Sequence, residues 1–189
     1  MSSPPEVAGS GRVQLIISAK SSGPGTPASR LSGRPRAESE SRFTAALGSA
    51  AEEVFAMMVG TPLGPSELAT LPHAADYTAM IGLAGDLCGV LSFRCSHNLA
   101  AQIAGRMLGS EAAPSAESIR DALGEICNMV AGSFKAAVSD IASQCMLSVP
   151  TVVSGNDYQL YPLVDGLRIQ VAKSFENDRV WMMLDLHGG

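Results

Sequence analysis

The stretch "ESIRDALGEICNMVAGSFKAAVSDIAS", residues 117–143, constrains the fold more than any other part of the chain. At 3.6 residues per turn, Ile119, Leu123, Ile126, Val130, Phe134, Ala137 and Ile141 fall within about 80° of one another. A stripe so narrow and so long predicts one amphipathic helix over 117–143, with one side covered by other elements. Nearly opposite, within about 80° again, stand Asp121, Glu125, Asn128, Gly132, Lys135 and Ser139. Glu125 and Asn128 are neighbours there, being three residues apart. Glutamate, lysine and serine are ordinary on a solvent-facing surface. Asparagine is not, because its side chain competes for backbone hydrogen bonds. Glycine in a helix interior is worse, at about 1 kcal/mol relative to alanine. Asn128 and Gly132 therefore mark this face as a candidate contact surface.

Other segments supply the cover. Phe43, Leu47, Ala50, Val54 and Met57 or Met58 repeat at helical spacing, predicting a helix from Phe43 to about Val59, which Gly60, Pro62, Gly64 and Pro65 end. "DYTAMIGLAGDLCGVLSFRCS", 76–96, reads as two alternating strands around a turn at "AGD". "HNLAAQIAGRMLGS", 97–110, is a short helix carrying Leu99, Ile103 and Met107. "CMLSVPTVVSG", "YQLYPLVDGLRIQVAKSFE" and "DRVWMMLDL" are rich in β-branched and aromatic residues, with "GND" and "END" turns between them. Grouped helices and runs of three or four further strands indicate an α+β domain, its helices packed on a largely antiparallel sheet. Met57, Met58, Met107, Met182 and Met183 are expected to fill the core, and Trp181 to pack on the sheet.

Residues 1–42 differ in texture. They are rich in Ser, Gly, Pro and Arg and bury too little apolar surface to offset chain entropy, which predicts a disordered tail ahead of a domain at 43–189. "VQLIIS" at 13–18 is a short apolar run within that tail. Charge divides at the same place: residues 1–42 balance at +3 and residues 43–189 at −8. A folded part that acidic repels phosphate backbones, so nucleic acid is not expected as a partner. No stretch approaches the roughly 18 consecutive apolar residues of a membrane span, so no membrane is expected either. The four cysteines and three histidines are scattered without metal-ligand spacing, which points to reduced, mostly buried thiols in the cytoplasm and to no bound metal.

The outward residues of the long helix resemble a family signature. Asp121, Glu125 and Asn128, followed by Pro150 after 21 intervening residues, match that of the CheX/CheC/FliY phosphatases of bacterial chemotaxis, with the last gap one residue short. "FTAALGSAAEEVFAMMVG", "MIGLAGDLCGVLSF" and "NLAAQIAGRMLG" resemble the family's first helix, its glycine-marked hairpin and the helix before the catalytic one. The resemblance covers about 43–186. The single-site CheX type fits better than the two-site type. The first helix offers Ser49 and Glu53 at the matching offsets, but Ala56 in place of the amide.

That resemblance implies hydrolysis of the aspartyl phosphate of a CheY-like receiver domain. The receiver would supply the phosphorylated carboxylate and a magnesium ion, and this chain would bind no cofactor. Glu125 and Asn128 would be catalytic, Glu125 by pairing with a lysine of the receiver and Asn128 by orienting water. Asp121, Gly132 and Lys135 would contact the partner. The alternative is a non-catalytic module of the same shape that docks a receiver or scaffolds a signalling or flagellar complex. Family members can also form homodimers along sheet edges.

Overall fold

The computed structural model describes residues 13–17, 36–66, 76–110, 112–155, 158–162 and 166–187. In chain order the elements are β1 (Val13–Ile17), α1 (Arg36–Met58), β2 (Gly64–Pro65), β3 (Tyr77–Ala84), β4 (Gly89–Cys95), α2 (His97–Leu108), α3 (Ala116–Ala137), β5 (Met146–Leu147), β6 (Thr151–Ser154), β7 (Tyr158–Pro162), β8 (Gly166–Phe175) and β9 (Asp178–His187). The main sheet runs β2-β8-β9-β4-β3-β5, and β6 also pairs with β3. Every ladder in it is antiparallel. This is the expected α+β architecture.

The predicted hairpin at 76–96 is β3–β4, paired from Tyr77↔Cys95 to Leu83↔Gly89. Its turn contains Gly85 at φ +110, where an added Cβ would lie 2.1 Å from the Gln144 carbonyl oxygen. Gly89 at the start of β4 lets Asp185 of β9 come close: a Cβ there would meet the Asp185 carbonyl oxygen at 2.0 Å. Side chains alternate across the sheet. Ala79, Ile81 and Leu83 of β3, Leu91 and Phe93 of β4, and Met182, Leu184 and Leu186 of β9 join the helices in one core. Phe55 of α1 sits at its centre, its ring 5.9 Å from Phe93 and 5.6 Å from Phe175. The second face is covered as well, since β4 is buried along its whole length.

Several boundaries differ from expectation. The first helix begins at Arg36 rather than Phe43, so residues 36–42, which composition assigns to the tail, form nearly two of its turns. They are polar, and long-range bonds hold them: Arg36 Nη2 donates to the Gly166 carbonyl, and Arg42 donates to Asp140 at 2.8 Å. The run at 13–18 contains β1, which pairs in parallel with β7. The remainder of the expected tail lies outside the described residues. The long helix ends at Ala137 rather than at 143, so Ala137 is exposed and Ile141 is buried from a turn beyond the helix. Met57 is 63% exposed, not core. The final third holds five strands rather than three or four, because β5 and β6 are short.

Phe55 joins helix α1 to two strands of the sheet through Phe93 and Phe175, so replacing it leaves a void between the helical layer and the sheet. Phe55→Ala is expected to lower unfolding free energy by about 3–5 kcal/mol, read by urea denaturation. A loss below about 1 kcal/mol would contradict this packing.

Candidate functional site

The outward face of α3 is fixed at both ends of the helix. Ser115 caps the N-terminus, its Oγ accepting from the Ser118 backbone N–H at 3.1 Å, and Glu117 lies in the positively polarised first turn. At the other end the Val138 N–H bonds the Phe134 and Lys135 carbonyls, and Lys135 lies in the negatively polarised last turn. Along the inner side Ile119, Leu123, Ile126, Cys127, Val130 and Phe134 are buried. Rotation about the axis is therefore set by the core.

Two neighbours flank the face. Helix α1 runs antiparallel beside α3: Arg42 bonds Asp140, the Phe43 ring meets Phe134 edge-on at 5.9 Å, and Ser133 Oγ donates to Glu53 Oε2 at 2.9 Å. On the other flank Pro150 and Val152 pack where Gly124 has no side chain; a Cβ there would lie 3.6 Å from Pro150 Cγ. Pro150 thus abuts the helix one turn from Asn128. Beside it Val149 is 82% exposed.

The five residues singled out from sequence share this face. Asp121 and Glu125 are exposed, while Asn128, Gly132 and Lys135 are half-buried. The side chains of Asp121, Glu125 and Asn128 make no hydrogen bond or ion pair within the described residues. Two carboxylates and a carboxamide thus stand on a rigid rod with their bonding capacity unspent. An added Cβ at Gly132 would meet nothing within 4 Å, so folding does not require glycine there. The counterpart face of α1 is different. Ser49, Glu53 and Ala56 are exposed, but Glu53 is engaged by Ser133 and no amide stands at the third position. The Ser133–Glu53 bond and the exposed Met57 and Val149 were not legible in sequence, because each depends on which elements become neighbours.

The thiol nearest the face is turned away from it. Cys127, next to Asn128, points inward, and burial pushes its thiol up to about 12. Burial also raises Cys95 and Cys145. Among the described residues no group of three or more His, Cys, Asp or Glu side chains could hold a metal ion, and no helix is long and apolar enough to cross a membrane. A groove between α1 and β8 is ringed by Thr44, Ser49, Gln170 and Lys173, where Lys173 Nζ donates to Glu52 at 2.5 Å. It lies on the flank of α1 away from α3.

Comparison with known proteins agrees with this fold. The family model for chemotaxis phosphatase CheX matches residues 77–171. A curated relative, the CheY-P phosphatase CheX of Thermotoga maritima, is 28% identical over 118 residues, 62% of this chain and 72% of that protein. Among solved structures, the chemotaxis protein CheX from Vibrio vulnificus superposes with a TM-score of 0.68 at 25% identity, covering 82% of this chain and all of that one. The CheX–CheY–BeF3–Mg2+ complex from Borrelia burgdorferi gives a TM-score of 0.62 at 15% identity, covering 77% and 97%, a likeness of fold.

Open space at Gly132 leads to a test of the face. Gly132→Ala is expected to raise unfolding free energy by about 0.5–1 kcal/mol through helix propensity. Equilibrium denaturation checks this; a loss of stability would mean that the glycine serves the fold.

Proposed function

We propose that this chain, which belongs to the chemotaxis phosphatase CheX family, removes the phosphoryl group from the aspartyl phosphate of a CheY-like receiver domain, with Asn128 aiming the attacking water. The observation that carries the reading is the unengaged polar face of α3, where Asp121, Glu125 and Asn128 have no partner within the described residues. Support for the partner comes from the Thermotoga relative, a CheY-P phosphatase, and from the Borrelia protein, solved with CheY, BeF3 and Mg2+.

The division of labour follows from what each side holds. The receiver brings the reactive bond, a magnesium ion and most of the charge neutralisation. Phosphoryl transfer gains mainly from positioning and electrostatics, so one well-placed polar group is a sufficient contribution. The Asn128 carboxamide offers an acceptor and two donors without net charge, so it holds a water in line with phosphorus. A carboxylate there would repel the phosphoryl oxygens. Glu125, one turn away, takes a lysine of the receiver in a charge-assisted hydrogen bond and so fixes register. Asp121 and Lys135 meet the rim of the partner, and bare Gly132 admits its backbone. Pro150 against Gly124 keeps the near flank rigid. Such a partner places the protein in the cytoplasm. The reading includes self-pairing along β8, which meets β2 over two residues only.

Phosphorylated receiver domains from the host, mixed with this protein and Mg2+, test the reading. The native chain is expected to shorten phosphate lifetime. Asn128→Ala is expected to lose about 100-fold or more of that acceleration, an amount typical of removing one group that acts on the transition state. Receiver affinity, measured by calorimetry, is expected to stay within about twofold. Equal acceleration by the variant would end the proposal. Binding without acceleration by the native chain would instead establish the non-catalytic docking module.

A further inference from the structure

The sheet face opposite α3 carries a buried cation with no counter-charge among the described residues. Cross-strand register puts Val153, Thr78, Arg94, Trp181 and Ala172 in one row across β6, β3, β4, β9 and β8. Phe93 and Cys95 point into the helical core, so Arg94 between them points to the other side. Arg94 is 8% exposed, and its Nε has no hydrogen-bond partner. Trp181 Nε1, on the residue directly across from it, has none either. Paired residues in such ladders have Cβ atoms about 4.5–5.5 Å apart, so the two orphaned donors belong to side chains that leave the sheet side by side.

No carboxylate among the described residues answers them. Asp185 is buried on the same face, but it takes Arg168 Nε at 2.5 Å. It also sits opposite Val90, four residues along β4 from Arg94, which is about 13 Å away. The Tyr158 hydroxyl, bonded to Thr78 Oγ1 at 2.7 Å, lies close to Arg94 but is neutral. Burial pulls the guanidinium pKa down, the sign of a cation that has lost water without gaining an anion. His187 Nε2, a third orphan, is six residues along β9 from Trp181, about 20 Å away, and is a separate matter.

Buried charges persist when paired, and orphaned donors mark the place of an absent acceptor. We propose that Arg94 and Trp181 form a binding site for a small oxyanion, a carboxylate or a phosphate, on the sheet face opposite α3. The guanidinium and the indole N–H donate to its oxygens, with the hydroxyl pair of Thr78 and Tyr158 at the edge. Tyr158 belongs to β7. Its one ladder partner among the described residues is β1, and a two-stranded parallel ribbon of that kind is stable only marginally by itself. The site is independent of the α3 face and of the phosphatase reading.

Trp181 is the only tryptophan in the chain, so its fluorescence reports the site directly. The full chain is titrated with sodium acetate and, separately, with inorganic phosphate, at an ionic strength held constant with sodium chloride. A saturable change in emission is expected in at least one series. Arg94→Met is expected to weaken it tenfold or more, and Arg94→Lys, which keeps the charge but not the fork of donors, to weaken it severalfold. If Arg94→Met does not fold, Arg94→Lys and Trp181→Phe, followed by calorimetry, carry the test. No saturable change in either series, a response that chloride reproduces, or unchanged affinity in the folded variants would overturn the site. The acetate and phosphate series distinguish the two ligand classes.

Discussion

Burial of one stripe of α3 against β3 and β4 governs the rest of the structure. Once Ile119, Leu123, Ile126, Val130 and Phe134 are inside, a stiff helix has no rotational freedom left, and the directions of Glu125 and Asn128 follow. Caps at Ser115 and Val138 stop the ends from fraying. The α1 contacts at Phe43, Arg42 and Glu53 stop the rod from sliding. An exposed polar group is usually a mobile one. Here the side chain is free while its backbone is held by the whole core, the combination that positional catalysis needs.

The face also shows where local stability has been forgone. Gly132 is a poor helix residue at a place where an added Cβ would meet nothing, Asn128 is a middling one, and the side chains of Asp121, Glu125 and Asn128 have no partner among the described residues. By contrast, the matching surface of α1 has been absorbed into the structure, with Glu53 tied to Ser133. Two similar helices thus divide the work, one kept open and one closed off. Conflict between local preference and global fold is expected at functional sites, which is why the proposed site is sought on α3.

Period and spacing made much of this legible in the chain itself. The stripe and counter-stripe of α3, the β3–β4 hairpin and α2 were readable because each is local and strongly patterned. The start of α1 was not, because residues 36–42 are polar and their helicity depends on Gly166 and Asp140, far away in sequence. Met57 matched the period of a buried residue but lies at the exposed edge of its stripe. The second face of the sheet was hidden for another reason. Thr78, Ser92, Arg94 and Asp185 alternate with apolar residues just as solvent-facing side chains do, yet all are buried. Alternation tells which residues share a side, not whether that side meets water.

Strand order has a consequence for how the protein is made. β9, residues 178–187, lies between β8 and β4 in the middle of the sheet, although it is the last strand among the described residues. At roughly 5–20 residues per second, β4 waits on the order of 4–17 s for that neighbour to be synthesised. During the wait β4, paired with β3 on one side, leaves its other edge unpaired at Leu91 and Phe93. Synthesis past residue 187 is therefore a precondition for the native sheet. Chains that stop before residue 178 lack its central seam and keep the β4 and β8 edges unpaired.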